Sequence, residues 1–310
     1  MQIVDSNNPY LGSKSIVCVG FFDGVHLGHQ YLLNQLRNIA RERNLTPIVV
    51  TFREHPASLT SPEQCPKLLQ TLDERLDSLK DLGIDYCMLL DFDDRVRSLD
   101  ALEFMHTYLK EDIKAEILLM GFDSRFGRER NKEFEFYQHA GVKAGLEVLK
   151  MDRFTNGVNE FNSSTIRQLL EVGKIEIANA QLGYNYSLVG EVICGYQVGR
   201  KMGFPTANIR PNSNSKLIPK QGVYTSKVTV EGKKYDAMLN IGIRPTVDES
   251  KQQSIEVHIF DFDQNIYGQI IRVELCSYLR NERKMASIDD LINQLNKDKK
   301  AASIWLENHK

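Results

Sequence analysis

A continuous apolar run at residues 16–19, rich in β-branched side chains, constrains the fold most, because runs like it alternate with helical stretches. A strand that is apolar on both faces belongs inside a parallel sheet covered on both sides. After a turn at Asp23 and Gly24, Leu32, Leu33, Leu36, Ile39 and Ala40 recur at helical spacing, and a second apolar run occupies 47–52. Strand, helix and strand in that order make a βαβ unit. The alternation continues with runs at 85–92, 115–122 and 146–151 and a helical stretch at 101–110. The pattern predicts a doubly wound α/β domain, a class in which ligands sit at the carboxyl ends of the strands.

His26 and His29 fall where the first strand hands over to the first helix, flanked by Gly24 and Gly28. Free backbone N–H groups and the helix dipole favour an anion at that place, and two imidazoles there suit a phosphate. The dipole is worth about 0.3–1 kcal/mol, up to ~2 when partly buried, so a helix terminus alone binds phosphate without catalysing much. The alternatives are a plain surface turn, or a zinc site that lacks companion ligands at the usual spacing. Further on, Ser163, Ser164 and Thr165 stand at an expected helix start with Arg167 in its first turn. Hydroxyls and a guanidinium there fit a polyphosphate, and equally an ordinary Ser/Thr cap.

From about residue 184 the pattern changes to short β segments. The runs 222–230 and 233–242 flank Glu231-Gly232 and read as a hairpin; 254–262 and 270–275 add strands, and a closed β barrel is expected. Ser287, with Asp290 three residues later, opens a terminal helix. Glycines at 190, 195, 199 and 203 supply the flexibility of an anion-holding nest, or of ordinary barrel turns. Along 254–259, Ile255, Val257 and Ile259 face one way and Ser254, Glu256 and His258 the other, a spacing that suits a solvent-facing glutamate as well as a functional one.

The chain of 310 residues is long enough for two cores, and we expect domains at 1–183 and 184–310. A net charge of -2 leaves no basic footprint for nucleic acid, and no apolar stretch is long enough to span a membrane. Five scattered cysteines without a C-x-x-C pair, and a start without signal-peptide character, predict a cytoplasmic protein.

Taken together, "GFFDGVHLGHQ" (20–30), "TFREHP" (51–56), "GFDSRFGRER" (121–130) and the 163–167 segment resemble the HxGH nucleotidyltransferases. More narrowly they resemble the bacterial bifunctional riboflavin kinase/FAD synthetases. "GRKMGFPTAN" (199–208), "LNIGIRPT" and "SIEVHIF" continue the likeness through the second half. The resemblance implies a Rossmann-like FMN adenylyltransferase domain followed by a riboflavin kinase barrel with a terminal helix. It implies riboflavin, FMN, FAD and ATP as ligands, and Mg²⁺ as cofactor. By carry-over, Thr206 and Asn208 hold the metal, Glu256 is the general base, and His26 and His29 act at the α-phosphate. Gly24, Gly28, Ser163, Ser164, Arg167, Gly199 and Arg200 bind phosphate; Asp123, Arg130, Asn240 and Arg280 lie on the adenine or flavin side. Glu54, Ser124, Asn162 and Met285 depart from the family pattern. A kinase with an idle first domain, or a non-catalytic flavin-binding module, is the alternative.

Overall fold

The computed structural model describes residues 1–128, 132–155, 161–195, 199, 202–245 and 251–309, with only the backbone of 244, 245, 251 and 252. Arg130 and Arg200 lie outside these residues. The chain divides into two compact units, Met1–Ser163 and Ser164–Lys310.

The first unit carries six parallel strands: β1 (Gln2–Val4), β2 (Ser15–Val19), β3 (Thr46–Phe52), β4 (Tyr86–Leu90), β5 (Ala115–Met120) and β6 (Glu147–Lys150). Their order in the sheet is β1-β4-β3-β2-β5-β6. The helices of this unit are α1 (Leu27–Arg43), the short α2 (Ala57–Thr60), α3 (Leu72–Asp81), α4 (Asp94–Ser98), α5 (Ala101–Phe104) and α6 (Phe134–Ala144). Central strands split their side chains between two cores, as a doubly covered sheet requires. Val17, Val50, Met88 and Leu118 pack toward Phe104, Leu109 and Tyr137. Cys18, Val49, Cys87 and Leu119 pack toward Leu33 and Leu36 of α1 and Leu79 of α3. Between β2 and β5 the strand order reverses, which opens a crevice at their carboxyl ends.

The helical stretch expected at 101–110 starts as α5 and continues as a π-helix, Met105–Asp112. The wider i→i+5 winding keeps Met105, Leu109 and Ile113, each four apart, on the core side. The edge strand β1, paired with β4, has no counterpart in the sequence expectation.

In the second unit, α7 (Ser163–Glu171, which begins in the first unit) and α8 (Ile175–Leu182) precede a barrel. Its strands are β7 (Ser187–Ile193), β8 (Ala207–Pro211), β9 (Gly222–Val230), β10 (Lys233–Pro245), β11 (Lys251–Ile259) and β12 (Ile270–Arg280), closed in the order β10-β11-β8-β7-β12-β9. Glu231 (φ 48°) and Gly232 (φ 78°) form the two-residue turn of the β9–β10 hairpin, both left-handed as such a turn demands. The terminal helix α9 (Ile288–Asn308) is capped by Ser287, whose hydroxyl accepts the Asp290 N–H at 3.1 Å.

Candidate functional sites in the two units

The turn after β2 is strained. Phe22 (φ 56°), Gly24 (φ 81°) and Val25 (φ 35°) all take positive φ, and for bulky or β-branched side chains that costs about 1–3 kcal/mol each. Asp23 holds the turn: its buried carboxylate accepts the Leu69 N–H at 3.0 Å and the Gln70 N–H at 3.1 Å. Its carbonyl accepts the Ser163 hydroxyl at 2.9 Å.

This turn delivers His26 to the N-cap of α1, where its Nδ1 accepts the His29 N–H at 3.4 Å. A neutral His26 therefore carries its ring proton on Nε2. The His26 and His29 rings stack with centroids 3.7 Å apart. A Cβ on Gly28 would press on the His26 ring at 3.2 Å, so this glycine makes room for the imidazole. Burial, then the neighbouring His26, hold the His29 pKa well below the usual histidine value. His29 is thus neutral near pH 7, and its Nδ1 is buried without a hydrogen-bond partner among the described residues. His29 therefore presents a hydrogen-bonding group rather than fixed positive charge. Gly24, Gly28, His26, His29 and Ser163 are brought together within the first unit. Asp123 is exposed, in the segment that follows β5. Ser164 is exposed and Arg167 half-buried, both on the second-unit part of α7.

A cavity of about 290 Å³ opens at the carboxyl ends of β2–β5. Phe21, Phe52, Phe92, Phe104 and Phe126 line it, with His55, Arg97 and Arg125 as its basic groups. The lining thus combines phenylalanine rings with two guanidinium groups and an imidazole.

In the barrel, register builds the second site. Glu256 on β11 lies opposite Asn208 on β8 and opposite Asn240 on β10, so three polar side chains form one row across three strands. Ile255 and Val257, which alternate with Glu256, are buried in the barrel. The Thr206 hydroxyl donates to Glu256 Oε2 at 3.4 Å, which completes a cluster of hydroxyl, amide and carboxylate oxygens. That donor set fits Mg²⁺, which takes hard oxygen ligands.

The glycines nearby serve chiefly close approach rather than left-handed backbone. A Cβ at Gly195 would stand 2.1 Å from Asn208 Nδ2, and one at Gly199 2.3 Å from the Phe204 carbonyl oxygen; only Gly203 among the four has positive φ. Beside Thr206, a cavity of about 410 Å³ is walled by Val192, Pro205, Val257, Ile259 and Tyr267.

Two roles here escaped the sequence. His258 is buried and bonds the Pro205 carbonyl through Nδ1 at 2.8 Å, which fixes the segment leading into Thr206. Its pKa is lowered, chiefly by burial. Arg280 directs Nε and Nη2 to the buried Asp298 of α9, at 3.0 and 2.7 Å, and Nη1 to the Asn281 carbonyl. The next residue, Glu282, accepts from Asn240 Nδ2 at 3.3 Å.

A histidine pair at the switch point of a parallel sheet, with a closed barrel carrying an oxygen cluster, defines a two-unit protein with a nucleotidyltransferase-type first half and a kinase-type second half. The FAD synthetase family model matches residues 10–165 and the riboflavin kinase model residues 182–306. The bifunctional riboflavin kinase/FMN adenylyltransferase of Bacillus subtilis (strain 168) is 36% identical over 300 residues, covering 96% of this chain and 94% of that protein. Its Escherichia coli (strain K12) counterpart is 35% identical over 288 residues, covering 93% and 91%. The chain belongs to the bifunctional riboflavin kinase/FMN adenylyltransferase family. A crystal structure described as a macrolide-efflux protein from Streptococcus pneumoniae shares the fold, with TM-score 0.89 and 32% identity over 97% of this chain and 98% of that one. Among the described residues, no helix of this chain is long and apolar enough to cross a membrane.

Proposed function

We propose that the barrel phosphorylates riboflavin with ATP to give FMN and ADP, and that the parallel-sheet unit transfers AMP from a second ATP onto FMN, releasing pyrophosphate and FAD. The observation that carries this proposal is the convergence of Thr206, Asn208 and Glu256 in the barrel of a chain that also caps α1 with His26 beside His29. We assign kinase chemistry to 184–310 and adenylyl transfer to 1–183.

In the kinase step Glu256 accepts the proton of the ribityl 5′-hydroxyl as that oxygen attacks the γ-phosphorus and ADP leaves. Thr206 and Asn208 would hold Mg²⁺, which when bound neutralises charge on the transferring phosphoryl group. Gly199 and Arg200 bind phosphate, and the cavity beside Thr206, whose lining mixes apolar side chains with Asp263, Gln264 and Asn265, seats the nucleotide base. His258 keeps Thr206 in place through Pro205.

In the second step an FMN phosphate oxygen attacks the α-phosphorus, and pyrophosphate leaves. No enzyme nucleophile is needed because the attacking oxygen is already anionic. His26 and the neutral His29 donate hydrogen bonds to the phosphoryl oxygens, and the α1 N-terminus adds backbone N–H groups and its dipole. Ser163, Ser164 and Arg167 hold the β- and γ-phosphates. The phenylalanine-walled cavity takes the flavin ring, with Asp123 and Arg130 on the adenine or flavin side. All five cysteines are free thiols, which supports a cytoplasmic enzyme working beside the ATP pool.

The test is chromatography of riboflavin incubated with the purified chain, ATP and MgCl₂, with and without EDTA. FMN followed by FAD, both abolished by EDTA, is the expected result. FMN as the only product would remove the second activity, and no conversion would overturn the enzyme assignment.

A further inference from the structure

Arg75 is one of the largest fully buried side chains in the protein, at 1% exposure. Arginine is almost never fully buried unless its charge is paired, and removing it from water costs several kcal/mol. An apolar side chain of similar size stabilises a core as well or better. Stability alone therefore does not account for a guanidinium at this position of α3.

Its contacts lie at the carboxyl ends of the strands. Nη2 donates to the carbonyl of Phe52, and at 3.5 Å to that of Arg53, where β3 leaves the sheet. The guanidinium carbon lies 4.1 Å from the centroid of the Phe21 ring, a cation–π contact on the residue that follows β2 by two positions. Phe21 in turn meets the His55 ring edge-on at 4.7 Å. Burial pulls the Arg75 pKa down to about 10, and the negative charge of buried Asp23 opposes the fall, so the group is charged at neutral pH. Phe21, Phe52 and His55 are all walls of the 290 Å³ cavity. One side chain thus fixes the face of one wall ring and the backbone beneath another.

We infer that Arg75 is a positioning residue for the adenylyl-transfer step, which holds Phe21 and the Phe52–Arg53 backbone at the spacing that admits a planar flavin ring. The inference rests on the assignment of that cavity to FMN. Arg75 does not touch the substrate; it sets the width of the slot. Without it two strand-end carbonyls lose their donor and the Phe21 ring loses its support, so FMN binding weakens while ATP binding does not. A lysine at the same position can reach one carbonyl but cannot span the ring and the backbone together.

The experiment uses the full chain with Arg75→Lys, Arg75→Met and Phe126→Leu. KM for FMN and KM for ATP are measured separately in adenylyl transfer, with riboflavin phosphorylation by the same preparations as the internal control. For Arg75→Lys we expect KM for FMN to rise about fivefold, and for Arg75→Met about tenfold or more, with KM for ATP within about twofold of the parent. A simple loss of folded protein lowers apparent kcat and leaves both KM values alone. Arg75→Lys keeps the charge, so it decides the matter if Arg75→Met does not fold. Unchanged KM for FMN in Arg75→Lys, or KM values for FMN and ATP that rise together, overturns the positioning role. Phe126→Leu alters the cavity at a wall residue after β5. If it leaves KM for FMN unchanged, the assignment of the cavity to FMN fails; if it raises that KM while Arg75→Lys does not, only the role of Arg75 fails.

Discussion

Removing the Asp298 carboxylate tests how α9 is held to the barrel. Asp298 is 5% exposed at its side chain and Arg280 21%, and three N–H···O contacts of 2.7–3.0 Å join them. Asp298→Ala leaves a largely buried guanidinium without its partner, and Gln294 Nε2 loses its acceptor at 2.7 Å. Breaking one side of such a pair costs about 3–5 kcal/mol, and the residual exposure of Arg280 favours the lower end. Trp305, the single tryptophan, sits on α9 against the cluster of Phe204, Met238, Phe260 and Cys276, so its fluorescence reports this helix alone. With a urea slope of about 2 kcal/mol per M, a loss of ~3 kcal/mol lowers the midpoint by about 1.5 M. Replacing both partners, Arg280→Met with Asp298→Leu, removes the buried charges together and brings the midpoint back to within about 0.5 M of the parent. A single variant that leaves the midpoint in place, or a double variant as unstable as the single, refutes the view that a buried ion pair clamps α9.

The two chemistries should separate by substitution. Glu256→Gln is expected to slow FMN formation by about 10²–10⁴-fold, as loss of a general base does, while FMN-to-FAD conversion continues at the parent rate. His29→Ala is expected to slow FAD formation from FMN by about 10²–10³-fold and to spare the kinase, both followed by chromatography. Because the folded-state pKa values of His29 and His258 are depressed, the unfolded chain binds more protons than the folded one once the pH drops below the ordinary histidine value. Stability from these groups is full above about pH 6.5 and falls with acidification, and thermal unfolding of parent and His29→Gln between pH 7.5 and 5.5 should show a smaller loss in the variant. Cys18 and Cys87 are fully buried with raised pKa values, whereas Cys194 is exposed, so a thiol reagent should label Cys194 in the native chain and spare the other two.

The features legible in the sequence are those written in local periodicity. Apolar runs longer than three residues marked β2–β5, and the Leu32–Leu33–Leu36 spacing marked α1, because burial on two faces or along one stripe imposes those patterns. Glu231-Gly232 and Ser287 marked the hairpin and the last cap through turn and cap chemistry. The strand β1 escaped because three residues carry no period. The row Asn240–Glu256–Asn208 escaped because it is made by register across strands far apart in the chain. The turn at 22–25 places left-handed backbone on Phe22 and Val25, against their local preference, and only the distant N–H groups of Leu69 and Gln70 bonded to Asp23 hold it. Arg75 gave no sequence signal at all, since an arginine in the first turns of a charged helix ordinarily faces water.

The use of carboxylates in the two units follows the needs of their proposed reactions. A riboflavin hydroxyl must lose a proton to become a nucleophile, and Glu256 stands half-exposed beside Thr206 where it can accept one. An FMN phosphate has no such proton to lose at the attacking oxygen, and a carboxylate close to it would repel both reacting phosphates. Asp23, the acidic residue inside the histidine turn, is turned away from that role: its oxygens are engaged by the backbone at Leu69 and Gln70, and it is 3% exposed. What the turn presents instead is a stacked pair of imidazoles at a helix N-terminus, kept neutral at His29 by burial. A neutral donor needs no counter-anion in the empty enzyme, and an arriving phosphate raises the imidazole pKa, so positive character develops there only when the substrate's negative charge is present to stabilise it.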